Sequence, residues 1–364
     1  MSGTVVIVGA GVMGTAVAHR LLERGFAVTL LEKSLPGAES SAAAAGILGA
    51  QSEVSGTGPF LELCLASRAM FGDYVRELEE ISGVGVDFEQ SGVLEVALTP
   101  AEGRLAAGRA QWMLQRGLEV EVLDRDAARR LEPGLTERMV GANFYPRDCQ
   151  LDPRRLGSAL TAVVSHLGGR FRTGLQVQGI EIHQGRAVGV RTATEVIFAD
   201  VVIIAGGAWS MGLSQLPPIR TPIKPMSGQI VQVETRPATL RHVLYGYQGY
   251  VVPRRDGRVL MGSTLEERGF DKAVTLDGIH RITGMAREMA PSLGAARLSD
   301  TWAGLRPAPG DGLPILGESR HLQGLFFVTG HYRNGILLTP ISGVVIADLV
   351  EKKTPSVTLD PFLP

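Results

Sequence analysis

The stretch from Thr4 to Lys33, TVVIVGAGVMGTAVAHRLLERGFAVTLLEK, constrains the fold more than any other part of the chain. Val5 to Val8 is continuously apolar, the pattern of a parallel strand buried on both faces. Gly9, Gly11 and Gly14 follow with GxGxxG spacing. The first permits a tight turn, the second lets the backbone approach a pyrophosphate, and the third lets helix and strand pack closely. Good helix formers then run to Gly25, and a second strand from Ala27 to Leu31 delivers Glu32, eighteen positions beyond Gly14. An acid there binds ribose hydroxyls, and the exposed N–H groups of the helix start form an anion site. Strand, glycine turn, helix and acid together define a dinucleotide grip that favours NAD or FAD over NADP. The fingerprint alone does not choose between those two.

At 364 residues the chain exceeds the usual size of a single core, so two domains are expected. The balance of 36 basic against 37 acidic side chains gives no reason to expect nucleic acid or an anionic membrane as partner. The two cysteines, Cys64 and Cys149, lack the spacing of a metal site and read as buried free thiols of a reducing compartment. No metal is expected. Met1-Ser2-Gly3 leads directly into the first strand without a basic leader, and no apolar run is long enough to span a bilayer. A cytoplasmic location and no membrane association are therefore expected.

Further along, the chain alternates between two domains. Ser40 to Gln51, SSAAAAGILGAQ, has side chains small enough to admit a bulky ligand, and Ser40 or Ser41 could bond a phosphate or ribityl oxygen. Phe60 to Ile81 has the spacing of an amphipathic helix. Val93 to Leu98 reads as an alternating strand, Pro100 to Arg116 as a helix, and Val120 to Leu131 as a short strand and helix. Asp152 then caps a helix opened by Pro153 and closed near Leu167. Short strands turning at Gln184-Gly185 feed a buried strand from Val201 to Ala205 that ends in AGGAW. A β-meander leading into such a strand belongs to the FAD version of the fold, and here the choice tilts to FAD. From about 222 to 300, longer strands and a helix from Asp277 to Met289 have the grammar of an antiparallel sheet with covering helices. The expected fold class is α/β: a two-dinucleotide-binding, Rossmann-like FAD domain formed by residues 1–84, 149–221 and 301–364, with an α+β substrate domain formed by 85–148 and 222–300.

The last informative blocks are WAGLRPAPGDGLPILG, from Trp302, and LFFVTGHYRNGILLTP, from Leu325. The second reads as a strand ending at Thr329-Gly330, a polar turn, and an apolar helix starting near Asn334 or Gly335. Such a junction aims N–H groups and a positive helix end at whatever lies before it. Arg306 and Arg333 flank it, and two guanidiniums beside a flavin suit an anionic substrate. The alternative for Arg306 is an ion pair with Asp311. Arg254 and Arg255, beside Asp256-Gly257, read as a solvated charge cluster in a hairpin turn. His331 reads as a structural hydrogen-bonding residue of the turn rather than a base, and no acid–base catalyst is assigned. Trp209 and Trp302 read as packing residues near the cofactor.

With these motifs in view, the chain resembles the FAD-dependent glycine oxidases of the D-amino acid oxidase family. The likeness spans nearly the whole chain through GAGVMG, SSAAAAGILGAQSE, AGGAWS, YVVPRRDGR, WAGLRPAPGDGLPILG and GHYRNGILLTP. The last two are the most specific. The resemblance implies that Arg306 binds a substrate carboxylate, Arg333 assists at the same end, and Tyr250 turns its hydroxyl toward the substrate. The FAD contacts it implies are Val12, Met13, Glu32, Lys33, Ser40, Ser41, Ala45, Gly46, Ile47 and Val177. To these it adds the turn of His331, Tyr332, Arg333, Asn334, Gly335, Ile336 and Leu337. Related sarcosine oxidases attach flavin through a cysteine in the C-terminal third, and this chain has none after Cys149, so the FAD would be noncovalent. The implied activity is oxidation of glycine or another small amino acid, with oxygen as acceptor and hydrogen peroxide as product, and a role in making the thiazole of thiamin. A dehydrogenase of the same fold that passes electrons to a quinone or carrier protein, and a flavin-holding protein without turnover, are the alternatives. Homo-oligomerisation is left open.

Overall fold

The computed structural model describes residues 3–364. Its first sheet has the strand order Ile315–Glu318, Leu325–Thr329, Val201–Ile204, Thr4–Val8, Ala27–Leu31, Arg170–Arg172. All pairings are parallel except that of the edge strand Ile315–Glu318. Alternate residues of Thr4–Val8 serve opposite cores, which explains the unbroken apolar run. Val5 and Ile7 pack beneath the helices Val12–Glu23, Pro153–His166 and Thr339–Val350. Val6 and Val8 pack beneath the meander Val177–His183, Arg186–Thr192, Val196–Phe198. Both faces are dry, as a parallel sheet requires.

Sequence signals set the boundaries of these elements. The Asp152 carboxylate accepts hydrogen bonds from Arg154 N and Arg155 N at the start of Pro153–His166. Thr99 and Glu102 form a reciprocal capping box at the start of Pro100–Gln115. Gln184 and Gly185 both take positive φ in the meander turn, the geometry that lets two strands reverse in two residues.

The second sheet has eight strands, in the order Arg297–Pro309, Ile223–Glu234, Arg258–Gly262, Gly249–Pro253, Val243–Gly246, Val93–Ala97, Gly141–Tyr145, Glu121–Leu123. It departs from the expected antiparallel sheet at one seam, where Val243–Tyr245 pairs in parallel with Val93–Glu95. That seam joins two segments far apart in sequence into one sheet. The expected boundary at 300/301 falls inside Arg297–Pro309, a strand paired with Ile223–Glu234 on both sides of that point with one register shift at Gln232/Val233, so this sheet extends to Pro309. Val93–Ala97 is not half-exposed as its alternation implies: all five residues are buried. Leu94 and Val96 face one core and Val93 another, while Glu95 is satisfied by Asn143 Nδ2 at 3.0 Å and by the Tyr145 hydroxyl.

Arg254 also differs from expectation. It is 5% exposed, donating to Ala45 O at 2.6 Å and to Gln150 Oε1 at 3.0 Å. The hairpin thus reaches across and fastens the 45–47 segment, and only Arg255 is solvated, 3.4 Å from Glu89. Removing the Arg254 guanidinium strands two buried acceptors, so Arg254→Ala should cost about 2–5 kcal/mol, whereas Arg255→Ala should stay within about 0.5 kcal/mol. Urea denaturation of the two variants measures the contrast.

Candidate active site

One cavity of about 620 Å³ opens between the two sheets, within the size range of cofactor pockets. Its floor is the glycine turn. Gly9 has φ +104°, and a Cβ there would lie 2.5 Å from Ala205 O; a Cβ on Gly14 would lie 2.0 Å from Gly9 O. Gly14 is therefore a packing residue behind the cavity wall, while Gly9, Gly11, Val12 and Met13 line it. Gly11 caps the Val12–Glu23 helix without a side-chain hydrogen bond. Its neighbour Val12 N donates to Ser41 Oγ at 3.1 Å. Free N–H groups, a serine hydroxyl and space for nothing larger than glycine form a cradle that fits a pyrophosphate.

Glu32 lines the next stretch, with Oε2 accepting from Ala10 N and Oε1 from Ser34 N, both at 3.0 Å. These bonds fix the carboxylate at the cavity wall, and lone pairs remain for further donors. Lys33 lines the cavity beside it, its Nζ 3.2 Å from the centre of the Trp209 ring. Ser40, whose hydroxyl donates to Leu305 O, and Ser41, Ala45, Gly46, Ile47 and Val177 continue the wall. Gly46 has φ +80°, and a Cβ on it would lie 2.0 Å from Leu151 O.

The opposite wall carries charge. Arg306, in Arg297–Pro309, lies flat over Gly228 of the neighbouring strand, where a Cβ would meet the guanidinium at 2.0 Å. Its bonds go to Ser263 Oγ at 2.6 Å and, more weakly, to Thr264 O at 3.5 Å. The alternative partner Asp311 is taken by Arg220 at 2.6 Å. Tyr250 lies over Gly262, and burial raises its hydroxyl above the ordinary tyrosine range. Glycines opposite large side chains on a sheet face create the room these groups need.

The turn after Leu325–Thr329 completes the ring. Tyr332 N donates to Pro307 O at 3.1 Å, which ties this turn to the strand of Arg306. Arg333 lines the cavity at its exposed side and reaches the Tyr245 hydroxyl at 3.5 Å. His331, Tyr332, Gly335 and Ile336 also line it. Asn334 and Leu337 do not: Asn334 Nδ2 donates to Cys64 Sγ at 3.6 Å, and Leu337 is fully buried with its carbonyl accepting from Ser67 Oγ. The regular helix starts at Thr339 rather than at Asn334 or Gly335, because the intervening residues close tight turns such as Asn334 N to His331 O and Thr339 N to Ile336 O. His331 Nε2 is 3.0 Å from Ser342 Oγ, and burial pushes its pKa down to about 3. An imidazole that resists protonation this strongly is a poor base.

Among the lining groups that escaped the sequence reading, four bear on the chemistry of the site. Tyr245 stands directly opposite Tyr250 across the hairpin, a pairing legible in YGYQGY once the Tyr247-Gln248 loop is recognised. Ser263 carried no signal. Arg109 reaches the cavity from the Pro100–Gln115 helix, held by Ser52 O at 2.7 Å. Glu53 is the fourth, a lone charge at the end of an otherwise uncharged run, and burial pushes its carboxyl up to about 7. Trp209 lines the cavity, whereas Trp302 packs outside it, donating to Ala43 O at 3.1 Å. Cys64 and Cys149 are buried free thiols pushed up to about 12, which leaves them inert. His19, Glu23 and Glu77, a grouping of metal-ligand type, lies apart from the cavity, with Arg20 bound to both carboxylates at 2.7 Å. No helix among the described residues is long and apolar enough to cross a membrane.

A nucleotide-binding parallel sheet facing a second sheet across one large cavity defines a dinucleotide-dependent oxidoreductase. The chain matches the family described as FAD dependent oxidoreductase, DAO, over residues 4–349. It is 34% identical over 360 residues to glycine oxidase of Geobacillus kaustophilus, covering 98% of this chain and 95% of that protein. It is 35% identical over 367 residues to the bifunctional protein ThiO/ThiG of Synechocystis sp., covering 99% of this chain and 53% of that one. The chain thus spans about half the length of the ThiO/ThiG relatives it matches. The crystal structure of glycine oxidase from Geobacillus kaustophilus superposes with a TM-score of 0.95 at 33% identity, covering 100% of this chain and 98% of the other. The chain belongs to the DAO family of FAD-dependent oxidoreductases and is a glycine oxidase homologue. FAD is its cofactor, and the glycine cradle, the Glu32 carboxylate and the small-residue wall fit that group.

A branched side chain at Gly11 would meet Ser41 Oγ, which lies 3.0 Å from the Cβ position. Gly11→Val should therefore purify without flavin while keeping its far-ultraviolet circular dichroism; a fully yellow variant would remove the turn from the binding site. His331 yields a pH prediction. Its folded pKa lies well below its ordinary 6.5, so below that pH the unfolded chain gains a proton that the folded chain refuses. Stability then falls as pH drops, by up to about 1.4 kcal/mol per pH unit. His331→Gln should narrow the stability gap between about pH 7.5 and about pH 5 by roughly 2 kcal/mol, read from urea melts of variant and parent.

Proposed function

We propose that this protein oxidises glycine or a similarly small amino acid, such as sarcosine or a small D-amino acid, to a 2-oxo acid and ammonia or an amine. Water would hydrolyse the imine and supply the oxo oxygen, oxygen would be the terminal electron acceptor, and hydrogen peroxide would be released beside the 2-oxo acid and the ammonia or amine. Arg306 carries this reading: it is a cavity-lining guanidinium that bonds the uncharged Ser263 and Thr264 and is paired with no carboxylate among the described residues. Such a group recognises a carboxylate from outside the chain, and its planar fork fixes orientation as well as position.

Bound FAD would supply the hydride acceptor and return the electrons to oxygen. The chain's own residues bind and orient. Arg306 would hold the substrate carboxylate, Arg333 would add charge from the open side, and the Tyr250 hydroxyl would close the pocket over the same end. Gly9, Gly11, Val12, Met13, Glu32, Lys33, Ser40 and Ser41 would hold the nucleotide half of the cofactor, and Ala45 to Ile47, Val177 and the 331–336 turn the remainder. With both cysteines buried outside the cavity, the FAD would be noncovalent. Fixing one end of a small substrate against the cofactor converts binding into alignment, so orientation supplies most of the acceleration. The amine must be neutral before hydride leaves, so the ammonium proton would pass to water first; no side chain is assigned to take it, and His331, held neutral, is no candidate. A role in thiamin thiazole synthesis rests on the family resemblance and is part of this proposal.

Anaerobic mixing with glycine, sarcosine, D-alanine and D-proline should bleach the flavin with at least one of them, and admission of air should restore the colour with release of peroxide. A flavin that stays reduced for minutes in air would instead assign a dehydrogenase. Arg306→Ala should lose about 2–5 kcal/mol in kcat/KM, mostly through KM, with the flavin spectrum intact. Unchanged kinetics would remove Arg306 from the pocket.

A further inference from the structure

The proposed substrate is a zwitterion, and the arginines account for only one of its two charges. Arg306 and Arg333 line the same part of the cavity, and an ammonium brought between them would be repelled. Three carboxylates line the cavity. Glu32 holds Ala10 N and Ser34 N, and Glu39 is 3.1 Å from Lys272. Glu53 remains, and it makes no side-chain hydrogen bond or ion pair among the described residues.

The segment bearing Glu53 is fixed from behind. Asp148, fully buried, accepts from Ser52 N at 2.8 Å and from Gln51 N at 3.2 Å, and is itself paired with Arg68 at 2.6 Å. Ser52 O accepts from Arg109, and Gln51 Nε2 donates to Glu119 O at 3.0 Å. The stem of Glu53 packs against Gly49, where a Cβ would lie 2.9 Å from Glu53 Cγ. An anchored backbone and a packed stem present the carboxylate to the cavity that Arg306, Arg333, Tyr245 and Tyr250 share. Preorganisation of this kind is what a binding group needs.

We propose that Glu53 is the substrate-binding residue that holds the ammonium end of the amino acid, so that it and Arg306 together select a zwitterion over a simple carboxylate. This rests on the amino acid reading above. The groups facing Glu53 are Arg306, Arg333, Tyr245 and Tyr250 across the cavity, with Asp148, its partner Arg68 and the Cys64 thiol, held protonated by burial, behind. Burial pushes the Glu53 carboxyl up to about 7, against the pull of Arg333. Protonation as pH falls through that value removes the ammonium's partner, so kcat/KM should fall on the acid side of neutrality.

The test uses flavin-loaded enzyme and two probes, glycine and glycolate, the second bearing a hydroxyl where glycine bears its ammonium. Glu53→Gln should raise KM for glycine tenfold or more. It should leave the glycolate Kd, read from the flavin difference spectrum, unchanged within about twofold or lower. It should also abolish the acid limb of the kcat/KM profile. A parallel loss of both probes, an unchanged glycine KM, or an acid limb that survives in Glu53→Gln would overturn the assignment. If Glu53→Gln fails to retain flavin, Glu53→Asp carries the test: a shorter carboxylate should raise the glycine KM while keeping the acid limb, and an unchanged KM overturns it. Should the parent enzyme itself be reduced by no amino acid in the panel, the substrate reading and this inference fall together. A parent that turns over glycine beside a Glu53→Gln of unaltered glycine KM removes Glu53 alone.

Discussion

The close approach of backbone at Gly9, Gly14 and Ala205 is the contact on which the rest of the site depends. With no Cβ at either glycine, the Val12–Glu23 helix sits against the turn that launches it, and the strand ending at Ile204 passes beside both. Any side chain at Gly14 would push the helix away from Gly9 O, where the Cβ position is only 2.0 Å distant. The helix N-terminus would leave the cavity floor with it. The anion site is thus a product of packing, made where the sheet and helix meet most closely.

The other half of the cavity depends on the second sheet staying in register with the first. Several cross-links do this, Ser40 Oγ to Leu305 O and Trp302 Nε1 to Ala43 O among them, and two more bear directly on the cavity wall. Arg254 reaches from the hairpin to Ala45 O, and Tyr332 N reaches Pro307 O from the turn after the last parallel strand. Both land beside residues that line the cavity, Gly46 in one case and Arg306 in the other. A buried arginine is a costly fastener, since its charge must be compensated by acceptors, and Gln150 and Ala45 provide them. Its place at the seam makes sense because a hydrophobic contact of equal strength would not fix the angle between two sheets so narrowly.

Much of this was legible in the chain because local chemistry and tertiary role coincide. The GxGxxG turn, the Asp152-Pro153 start and the Gln184-Gly185 reversal announce themselves through backbone requirements that few residues meet. The failures have a common cause in long-range burial. Arg254 looks solvated because it neighbours Arg255 and Asp256, and nothing nearby in sequence reveals that Ala45 and Gln150 wait for it. Val93–Ala97 alternates, yet its polar member Glu95 is buried against Asn143 and Tyr145 from a partner strand. Glu53 was passed over for the same reason: a single glutamate after a small-residue run is unremarkable until the second sheet folds over it.

The distribution of charge in the cavity bears on how such a site would work. Beside the glycine turn, Glu32 is held by backbone donors and Glu39 by Lys272, so both carboxylates already have partners within the chain. At the far end, Arg306, Arg333 and Arg109, the last paired with Glu95, share with the one carboxylate of Glu53 a space lined by tyrosine hydroxyls and glycines, and the one histidine of the turn is kept neutral by burial. A pocket that performed acid–base chemistry would place a group of near-neutral pKa against the bond being broken and orient it with a partner. Here Glu53 alone has such a pKa, and no second side chain orients its carboxylate. Fixed opposite charges set into rigid walls are instead suited to gripping both ends of a small zwitterion. On the proposed reading, the protein's contribution is this grip, and the bond-breaking step is left to the cofactor it aligns.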